Sequence, residues 1–288
     1  MKHAILLVLL VCLSAAGYDT CAEGIQSVQP GLLPRPPFEG AIAPLDVWAE
    51  PLGLVEESSQ RNEITDDAAW FERHGFRLPT LTPPNPFRGL KGDLPRDVPT
   101  KWYDLMLVRA IESPDALFLF FGNHFGDAHV MFSLDPGTYE VRQAWDFSNY
   151  SFAPENVPDD LGFVFQSLQW AWELDGTVYV SHFHRTYASS SMEMNGYITA
   201  LDAETGELVW RTEPLVCNSQ NFLLLGDVIV CGYGFTEEPD YVYQLNRHTG
   251  ETIARTPTRT APDYLFEKDG RLYVRCYDTD YVFGMENR

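Results

Sequence analysis

The hydrophobic positions of the chain fall into short runs from about residue 101 onward. These runs are rich in Val, Ile, Leu, Tyr and Phe, as in "DALFLFFGN", and Gly, Asp or Asn separates one run from the next. Runs of this length and spacing are typical of strands in an antiparallel all-β domain. We therefore predict an all-β fold for residues 101–288.

The strand pattern repeats with a fixed period. The turn glycines Gly226 and Gly270 lie 44 residues apart, and so do the turn glycines Gly206 and Gly250. Two different turns that recur at one period in this range indicate a propeller or a solenoid. Each unit contains four predicted strands, and residues 101–288 have room for about four units. The sequence thus predicts a small β-propeller of about four four-stranded antiparallel blades.

The turn between the third and fourth strands of a unit carries the clearest local signal. It is "LDAETGE" in one unit and "LNRHTGE" in the next. An Asp or Asn side chain accepts hydrogen bonds from its own turn, and glycine adopts positive φ without a Cβ clash. The first unit has Tyr139 where the glycine aligns, so its turn is predicted to differ. The predicted structural turns contain Asp202, Thr205, Gly206, Asn246, Thr249 and Gly250, with Gly226 and Gly270 in the other hairpins.

The segment "YITALDAETGELVWR" resembles the repeat of the pyrroloquinoline-quinone-like (PQQ-like) β-propeller family, in which a Leu-Asp-x-x-Thr-Gly turn precedes a strand ending in Trp. Trp210 fits this pattern, whereas Ala254 stands at the same place in the next unit. The resemblance covers about residues 104–285 and implies four-stranded blades in a ring. The family includes quinoprotein dehydrogenases and non-catalytic scaffolds such as the outer-membrane assembly lipoprotein.

Within that family, the chain resembles the non-catalytic branch. The quinoprotein dehydrogenases are long, eight-bladed chains with an adjacent cysteine pair over the cofactor. No Cys-Cys pair occurs in this sequence. We therefore expect no PQQ cofactor, because a shared fold does not imply shared chemistry.

The N-terminal part of the chain has a different composition. Residues 25–100 contain twelve of the twenty prolines and show no sustained alternation of polar and apolar positions. This composition predicts a Pro-rich, mostly irregular extension over residues 18–100.

One short helix is predicted inside this extension, near residues 65–75. Thr65 is in place to cap its first N–H groups, and Asp66 and Asp67 favour its positive N-terminal end. Gly75 is in place to end it in the left-handed conformation.

Ring closure needs a further strand, because the last unit stops after its third strand at Met285. Propellers commonly take the missing strand from the other end of the chain, which removes an exposed edge. Two segments are candidates for this strand: "APLDVWAEP" at 43–51 and "KWYDLML" at 101–107.

Residues 1–17 have the layout of a secretory signal peptide. Lys2 precedes an apolar run over residues 4–13, and four small residues follow it. We therefore predict export to the periplasm, the cell envelope or the extracellular space. No later stretch has the roughly 20 apolar residues of a membrane helix, so no transmembrane segment is predicted. The Leu-small-small triplet that precedes a lipidated cysteine is missing before Cys21, which argues against lipidation there without deciding it.

The net charge excludes one class of partner. The chain has 41 acidic and 20 basic residues, which gives a formal charge of -21. Such a surface repels phosphate backbones, so no nucleic acid partner is expected.

Four cysteines remain once the predicted signal is removed: Cys21, Cys217, Cys231 and Cys276. They allow three disulfide pairings. A tight turn at Gly226 would place Cys231 opposite Phe222 and leave Cys217 out of register, so free buried thiols are expected.

Potential ligand groups gather on one face of the predicted ring. Loops between second and third strands emerge there together with the links between blades, and we call this the loop face. It is predicted to contain Asn123, His124, Asp127, His129, His182, His184, Arg185, Glu237, Glu238, Asp278 and Asp280.

Two functions fit this face. The first is that of an exported, non-catalytic binding or scaffold protein whose partner is an unidentified protein or small molecule. The alternative is a metal-binding protein or enzyme that uses His124, His182 and His184, because residues two apart on a strand point the same way, as a metal pair requires.

Overall fold

The computed structural model describes residues 21–37, 47–83, 92–151 and 164–287. It contains two helices, α1 (Cys21–Ser27) and α2 (Asp67–His74). Single 3-10 turns occupy Pro30–Leu32, Ser148–Ser151 and Ala188–Ser191. No helix in these ranges combines the length and the apolar character that crossing a bilayer requires.

The remaining regular structure consists of strands, numbered here in chain order. Strand β1 is Leu54–Arg61. The first blade contains β2 (Thr80–Leu81), β3 (Lys101–Trp102), β4 (Leu105–Glu112), β5 (Leu117–Gly122), β6 (Val130–Leu134) and β7 (Val141–Asp146). The second contains β8 (Ser167–Leu174), β9 (Thr177–Phe183), β10 (Tyr197–Asp202) and β11 (Leu208–Arg211). The third contains β12 (Leu223–Leu225), β13 (Val228–Tyr233), β14 (Tyr241–Asn246) and β15 (Thr252–Pro257). The fourth contains β16 (Pro262–Lys268), β17 (Arg271–Cys276) and β18 (Thr279–Met285).

These strands form four antiparallel sheets, and the predicted all-β, small β-propeller fold is confirmed. Within each sheet, consecutive strands are hydrogen-bonded neighbours, which is the up-and-down order of a propeller blade. The first blade is enlarged, since β2 and β3 both pair with β4. The core between blades is aromatic and includes Phe118, Trp145 and Trp210, each almost fully buried.

The fourth blade is completed by β1. This strand pairs antiparallel with β18, from Leu54 opposite Met285 to Arg61 opposite Thr279. A closing strand from the N-terminal part was therefore a correct expectation, but both predicted segments were wrong. Residues 47–51 form no strand, residues 43–46 lie outside the described residues, and residues 101–107 belong to β3 and β4 of the first blade.

The closing strand was missed for a physical reason. Strand β1 reads "LVEESSQR", and seven of its eight residues are exposed. An outer strand with so little burial has no alternation of apolar and polar residues, which is the signal that identifies a strand in a sequence.

The repeated turns have the geometry of a short hairpin. Oδ1 of Asp202 accepts hydrogen bonds from the backbone N–H of Glu204 at 3.0 Å and of Thr205 at 2.7 Å. Oδ1 of Asn246 accepts one from His248 N at 2.9 Å. Hydroxyls of both turn threonines accept a further N–H, and φ is positive at all four predicted glycines. These residues are Thr205, Thr249, Gly206, Gly250, Gly226 and Gly270.

The turn of the first blade corrects one expectation. Tyr139 N donates to Asp135 O at 2.8 Å, as Gly206 N donates to Asp202 O at 2.9 Å. Tyr139 has φ of +59°, so it adopts the left-handed conformation that glycine adopts in the other blades. The prediction that this turn differs was wrong, because the side chain of Asp135 stabilises the same turn. The left-handed backbone of Tyr139 costs roughly 1 kcal/mol in conformational energy.

A tryptophan of one blade packs on the turn glycine of the next. Trp145 Nε1 donates to the carbonyl of Gly206 at 2.9 Å. A Cβ atom on Gly250 would lie 2.6 Å from Cε3 of Trp210. The fourth blade has β1 in its outer position instead of a fourth strand that follows a Thr-Gly turn. Ala254 of the third blade therefore has no Thr-Gly turn of a following blade to pack on, so a tryptophan is not required at this position.

Helix α2 confirms the predicted helix and corrects its start. The N-cap is Asp66, which makes no side-chain cap bond, so the cap predicted at Thr65 was wrong. Gly75 ends the helix with φ of +70°. Trp70 is 1% exposed and packs against Phe266 of the fourth blade, with 5.9 Å between ring centroids.

The four cysteines among the described residues are buried and are free thiols. They are Cys21, Cys217, Cys231 and Cys276.

Candidate binding cavity on the loop face

A cavity of about 760 Å³ opens among the loops of the second, third and fourth blades. Its walls come from the β9–β10, β13–β14 and β17–β18 loops and from the links that lead into β12 and β16. These are the loops that define the predicted loop face. The lining residues are Phe183, His184, Arg185, Asn218, Gln220, Gly234, Phe235, Thr236, Glu237, Asp240, Arg259, Thr260, Ala261, Pro262, Asp263 and Tyr277. We refer to this space as the loop-face cavity.

Arg185 supplies positive charge to the loop-face cavity without a carboxylate partner among the described residues. Its Nε lies 3.3 Å from Ser167 Oγ and its Nη2 lies 3.2 Å from Gln169 Oε1. Both acceptors are neutral, so they orient the guanidinium and leave its charge unbalanced. Gln169 is itself fixed by a hydrogen bond from its amide to Gln220, another lining residue.

Arg109 places a second cation beside Arg185. It lies on β4, the long strand of the first blade, and makes no ion pair with any described residue. Burial, followed by the charge of Arg185, lowers the pKa of Arg109 to about 10, and Tyr264 opposes that shift. The two positive charges therefore repel each other.

Two carboxylates in the loop-face cavity, those of Asp240 and Asp263, are negative groups without an ion-pair partner. Neither accepts a hydrogen bond or forms an ion pair with its side chain in the part of the chain that is described. Oδ1 of Asp240 is sealed from solvent with no donor beside it. Burial and the nearby charges of Glu238 and Asp278 raise the pKa of Asp240 to about 6.

Asp263 carries the same signature on the fourth blade. Burial comes first and the charge of Asp67 second in raising the pKa of this carboxyl to about 6, and Arg275 only partly offsets them. Its backbone carbonyl accepts Gln220 N at 2.7 Å, which ties the wall of the fourth blade to that of the third. Arg109, Asp240 and Asp263 were not among the predicted site residues.

Glu238 joins two walls of the loop-face cavity. One of its oxygens accepts Tyr233 OH at 2.7 Å within the third blade, and the other accepts Ala188 N at 2.8 Å from the second. Tyr187 packs edge to face on Phe235, with 5.0 Å between centroids. These contacts fix the β9–β10 loop over the third blade, so the cavity is preformed.

The predicted histidines are separated by the fold. His182 is fully buried, and its Nε2 lies 2.7 Å from Thr199 Oγ1. Burial, then the charges of Arg211 and His184, hold the pKa of His182 well below its ordinary value. His184 lines the loop-face cavity, whereas His124 is exposed on the first blade and packs on Phe165. The described residues contain no group of three His, Cys, Asp or Glu side chains placed to hold a metal ion.

The other predicted loop-face residues form separate clusters. Oδ1 of Asp127 lies 2.9 Å from His129 Nδ1, and Oδ2 accepts the amide of Asn123, all within the β5–β6 loop. Asp278 and Asp280 face arginines of the fourth blade. The ion pairs are Asp280 with Arg275 and Asp278 with Arg61 and Arg259.

The structural turns lie on the opposite face of the ring from the loop-face cavity, because strands alternate in direction within a blade. A second cavity of about 320 Å³ lies among the first strands of three blades, lined by Trp170, Leu224 and Phe266. Trp172 is stacked on Trp170 with ring centroids 6.2 Å apart. Trp170 also belongs to the core between blades, which assigns this tryptophan to packing.

Comparison with known proteins gives no family. No family model matches the chain, and no curated protein matches it. Among solved structures, it is similar to BamB from Moraxella catarrhalis, with 15% identity over 61% of this chain and 58% of that one and a TM-score of 0.34. It is also similar to the computationally designed Ika4 protein, with 10% identity, 60% and 88% coverage and a TM-score of 0.37. Similarity to Saccharomyces cerevisiae Sqt1 is 12% identity over 60% of this chain and 42% of that one, with a TM-score of 0.41. The chain therefore spans little more than half of BamB and less than half of Sqt1, and the fold assignment rests on its own four sheets.

Proposed function

We propose that the protein is an exported, non-catalytic binding or scaffold protein that holds its partner in the loop-face cavity. The observation that carries the proposal is the cavity itself, whose volume of about 760 Å³ lies in the usual range for ligand sites. Its walls combine aromatic side chains with a few charged groups, as ligand sites do. Membership of the PQQ-like repeat family and export through residues 1–17 are part of the same proposal.

Local structure supports a binding role over a catalytic one. The charged groups of the loop-face cavity are spread over three blades; the hydrogen bonds of Arg185 lead to neutral side chains, and Arg259 forms an ion pair with Asp278. The turn residues that resemble the PQQ-like repeat act on the other face, where they hold the blades together. The repeat thus explains the ring and leaves the loop face free to carry a specific site.

A cavity-blocking variant tests the proposal. Thr236 is an exposed lining residue, so Thr236→Trp should fill the cavity entrance without disturbing the core. Glu204→Trp adds the same side chain to an exposed turn on the opposite face and serves as the matched control. We expect a partner captured from the native envelope by the wild type and by the control, and lost with Thr236→Trp. Equal capture by all three proteins would contradict the proposal.

Metal analysis decides between this function and the alternative. The alternative predicts stoichiometric metal in the purified protein that disappears from the His182→Ala, His184→Ala double variant. That result would replace the binding proposal by a metal site. Cell fractionation with and without residues 1–17 tests export, and an unchanged distribution would contradict that part.

A further inference from the structure

The arginines of this protein are mostly neutralised by carboxylates. Ion pairs within the described residues involve eight arginines: Arg35, Arg61, Arg73, Arg142, Arg247, Arg259, Arg271 and Arg275. Such pairing is easy in a chain with 41 acidic and 20 basic residues. Arg185 and Arg109 are among the described arginines that form no ion pair, and the charge of Arg185 acts on Arg109. Of these two, Arg185 lines the loop-face cavity.

The guanidinium of Arg185 is available to an anion. Its two hydrogen bonds to Ser167 and Gln169 use two of the five N–H donors that an arginine has. Arg185 is exposed and lines the loop-face cavity, and the positive charge of Arg109 adds to its own. A carboxylate placed here would accept charge-assisted hydrogen bonds and relieve the repulsion between the two arginines.

The carboxylates of Asp240 and Asp263 are available to a cation. Both line the loop-face cavity, and neither side chain accepts a hydrogen bond or forms an ion pair within the described ranges, although the charge of Arg275 acts on Asp263. The charges nearest to Asp240 are those of Glu238 and Asp278, which are negative. A bound ammonium group would supply the missing positive charge to both carboxylates, and at Asp240 it would meet Oδ2, because Oδ1 is closed off from solvent.

The positive and negative groups do not neutralise each other. No ion pair joins Arg185 to Asp240 or Asp263, although all three side chains line one cavity. The cavity lining therefore contains a cation and two carboxylates that are not paired with each other, together with aromatic side chains. Phe183, Phe235 and Tyr277 supply those walls. A ligand that carries one charge only would leave the other end unsatisfied.

We propose that the loop-face cavity binds a short peptide with free termini, with its carboxylate at Arg185 and its ammonium group at Asp240 and Asp263. This inference rests on the proposed function, since it names the ligand class of the same cavity. The peptide body lies against the aromatic walls. Arg109 acts through Arg185 by adding positive charge at the carboxylate end.

Calorimetric titration with the tripeptide alanyl-phenylalanyl-alanine tests this inference. Three forms are compared: the free tripeptide, its N-acetyl form and its C-terminal amide. We expect the free form to bind at least tenfold more tightly than either blocked form. Arg185→Gln should make the free form and the amide bind equally, while Asp240→Asn should reduce the preference for the free amine.

Arg259→Gln is the matched control for this titration. Arg259 lines the same cavity, but it has a carboxylate partner, since its Nε lies 3.6 Å from Asp278, which also pairs with Arg61. This variant should keep both preferences of the wild type. Equal affinity for all three peptide forms, or absence of binding up to millimolar concentration, would overturn the inference. So would an equal effect of Arg185→Gln and Arg259→Gln on the carboxylate preference. If the peptide inference fails in this way but Thr236→Trp still abolishes partner capture, the broader binding function remains supported.

Discussion

Arg275 and Arg185 show two opposite uses of one side chain. Arg275 is 1% exposed and lies between α2 and the fourth blade. Its Nε donates to Asp67 Oδ1 at 2.6 Å, its Nη1 donates to Asp280 Oδ1 at 3.0 Å, and its Nη2 donates to Asp66. Arg185 is exposed to the loop-face cavity, its hydrogen bonds lead to neutral acceptors, and its guanidinium lies over the ring of Phe183.

The contrast separates structural charge from charge that is available for binding. Burial alone would lower the pKa of Arg275, but its hydrogen bond with Asp67 and the charge of Asp280 outweigh burial and raise it. The carboxylates thus hold α2 and the segment after β1 against the ring. Around Arg185, Asp240 and Asp263, the same balance is missing. Charges that are paired within the protein stabilise the fold, whereas the unpaired charges line the loop-face cavity.

The largest effect should follow from removing the closing strand. Deletion of residues 18–60 removes nearly all of β1 and leaves β18 as an open edge. Each lost backbone hydrogen bond contributes about 1 kcal/mol, so we expect the melting temperature to fall by about 10 °C or more. Deletion of residues 18–53 keeps β1 and should cost clearly less. Equal melting temperatures for the shorter deletion, the longer deletion and the wild type would show that β1 does not close the ring.

Removing Arg275, which is paired with three carboxylates, should have the next largest effect. Arg275→Gln leaves the carboxylates of Asp66, Asp67 and Asp280 without their cation, and we expect a loss of about 3–5 kcal/mol in the free energy of unfolding. Arg271→Gln is the matched control on the same strand. Its partner Glu57 and Arg271 itself are about half exposed, so the loss there should be much smaller than at Arg275. Urea unfolding of both variants measures the difference, and comparable losses would refute the structural role of Arg275.

A smaller effect of opposite sign is expected at the loop-face cavity. Because the pKa of Asp240 is raised to about 6, the folded state binds its proton more tightly than the unfolded state does. The cost of ionising this group is absent below about pH 4, grows between pH 4 and 6 and is complete above pH 6. Asp240→Asn should therefore be more stable than the wild type by about 1 kcal/mol at pH 7.5, a figure reduced for partial exposure, and equally stable at pH 4.

The control for this pH dependence is Asp202→Asn. Hydrogen bonds from Thr205 N and its hydroxyl lower the pKa of Asp202, and Glu204 N adds to the shift. Its stabilisation is present at pH 7.5 and lost as the pH falls through the lowered pKa, so the sign is the reverse of that at Asp240. Unfolding curves of Asp240→Asn at pH 7.5 and 4, and of Asp202→Asn at pH 7.5 and about pH 3, give the comparison, because Asp202 loses its stabilisation only below its ordinary pKa of 3.8. A destabilising effect of Asp240→Asn at pH 7.5 would show that its charge serves the fold.

The sequence predicted the parts of the fold that depend on local signals. Gly206 and Gly250 identified hairpins because left-handed backbone needs glycine at those places. Tyr139 shows the limit of this rule, since the side chain of Asp135 enforces the same conformation on a tyrosine. Strand β1 was missed because its polar, exposed residues carry no periodic pattern.

The cavity could not be predicted in the same way. Asp240 and Asp263 belong to different blades and meet Arg185 only because the ring brings three loops together. No spacing along the chain encodes that meeting. Arg185 was placed on the correct face from topology alone. The spacing of His182 and His184 is a local signal, and it predicted a metal pair. In the structure His182 is buried against Thr199, and its role as a metal ligand stays a prediction.

The most direct test of the account compares the free energy of unfolding of Arg185→Gln with that of the wild type, with and without the free tripeptide. Since Arg185 has no carboxylate partner, we predict that the variant unfolds within about 1 kcal/mol of the wild type. The peptide should stabilise the wild type and leave the variant unchanged. A loss as large as that of Arg275→Gln, or equal stabilisation of both proteins by the peptide, would contradict the claim that Arg185 keeps its charge for a ligand.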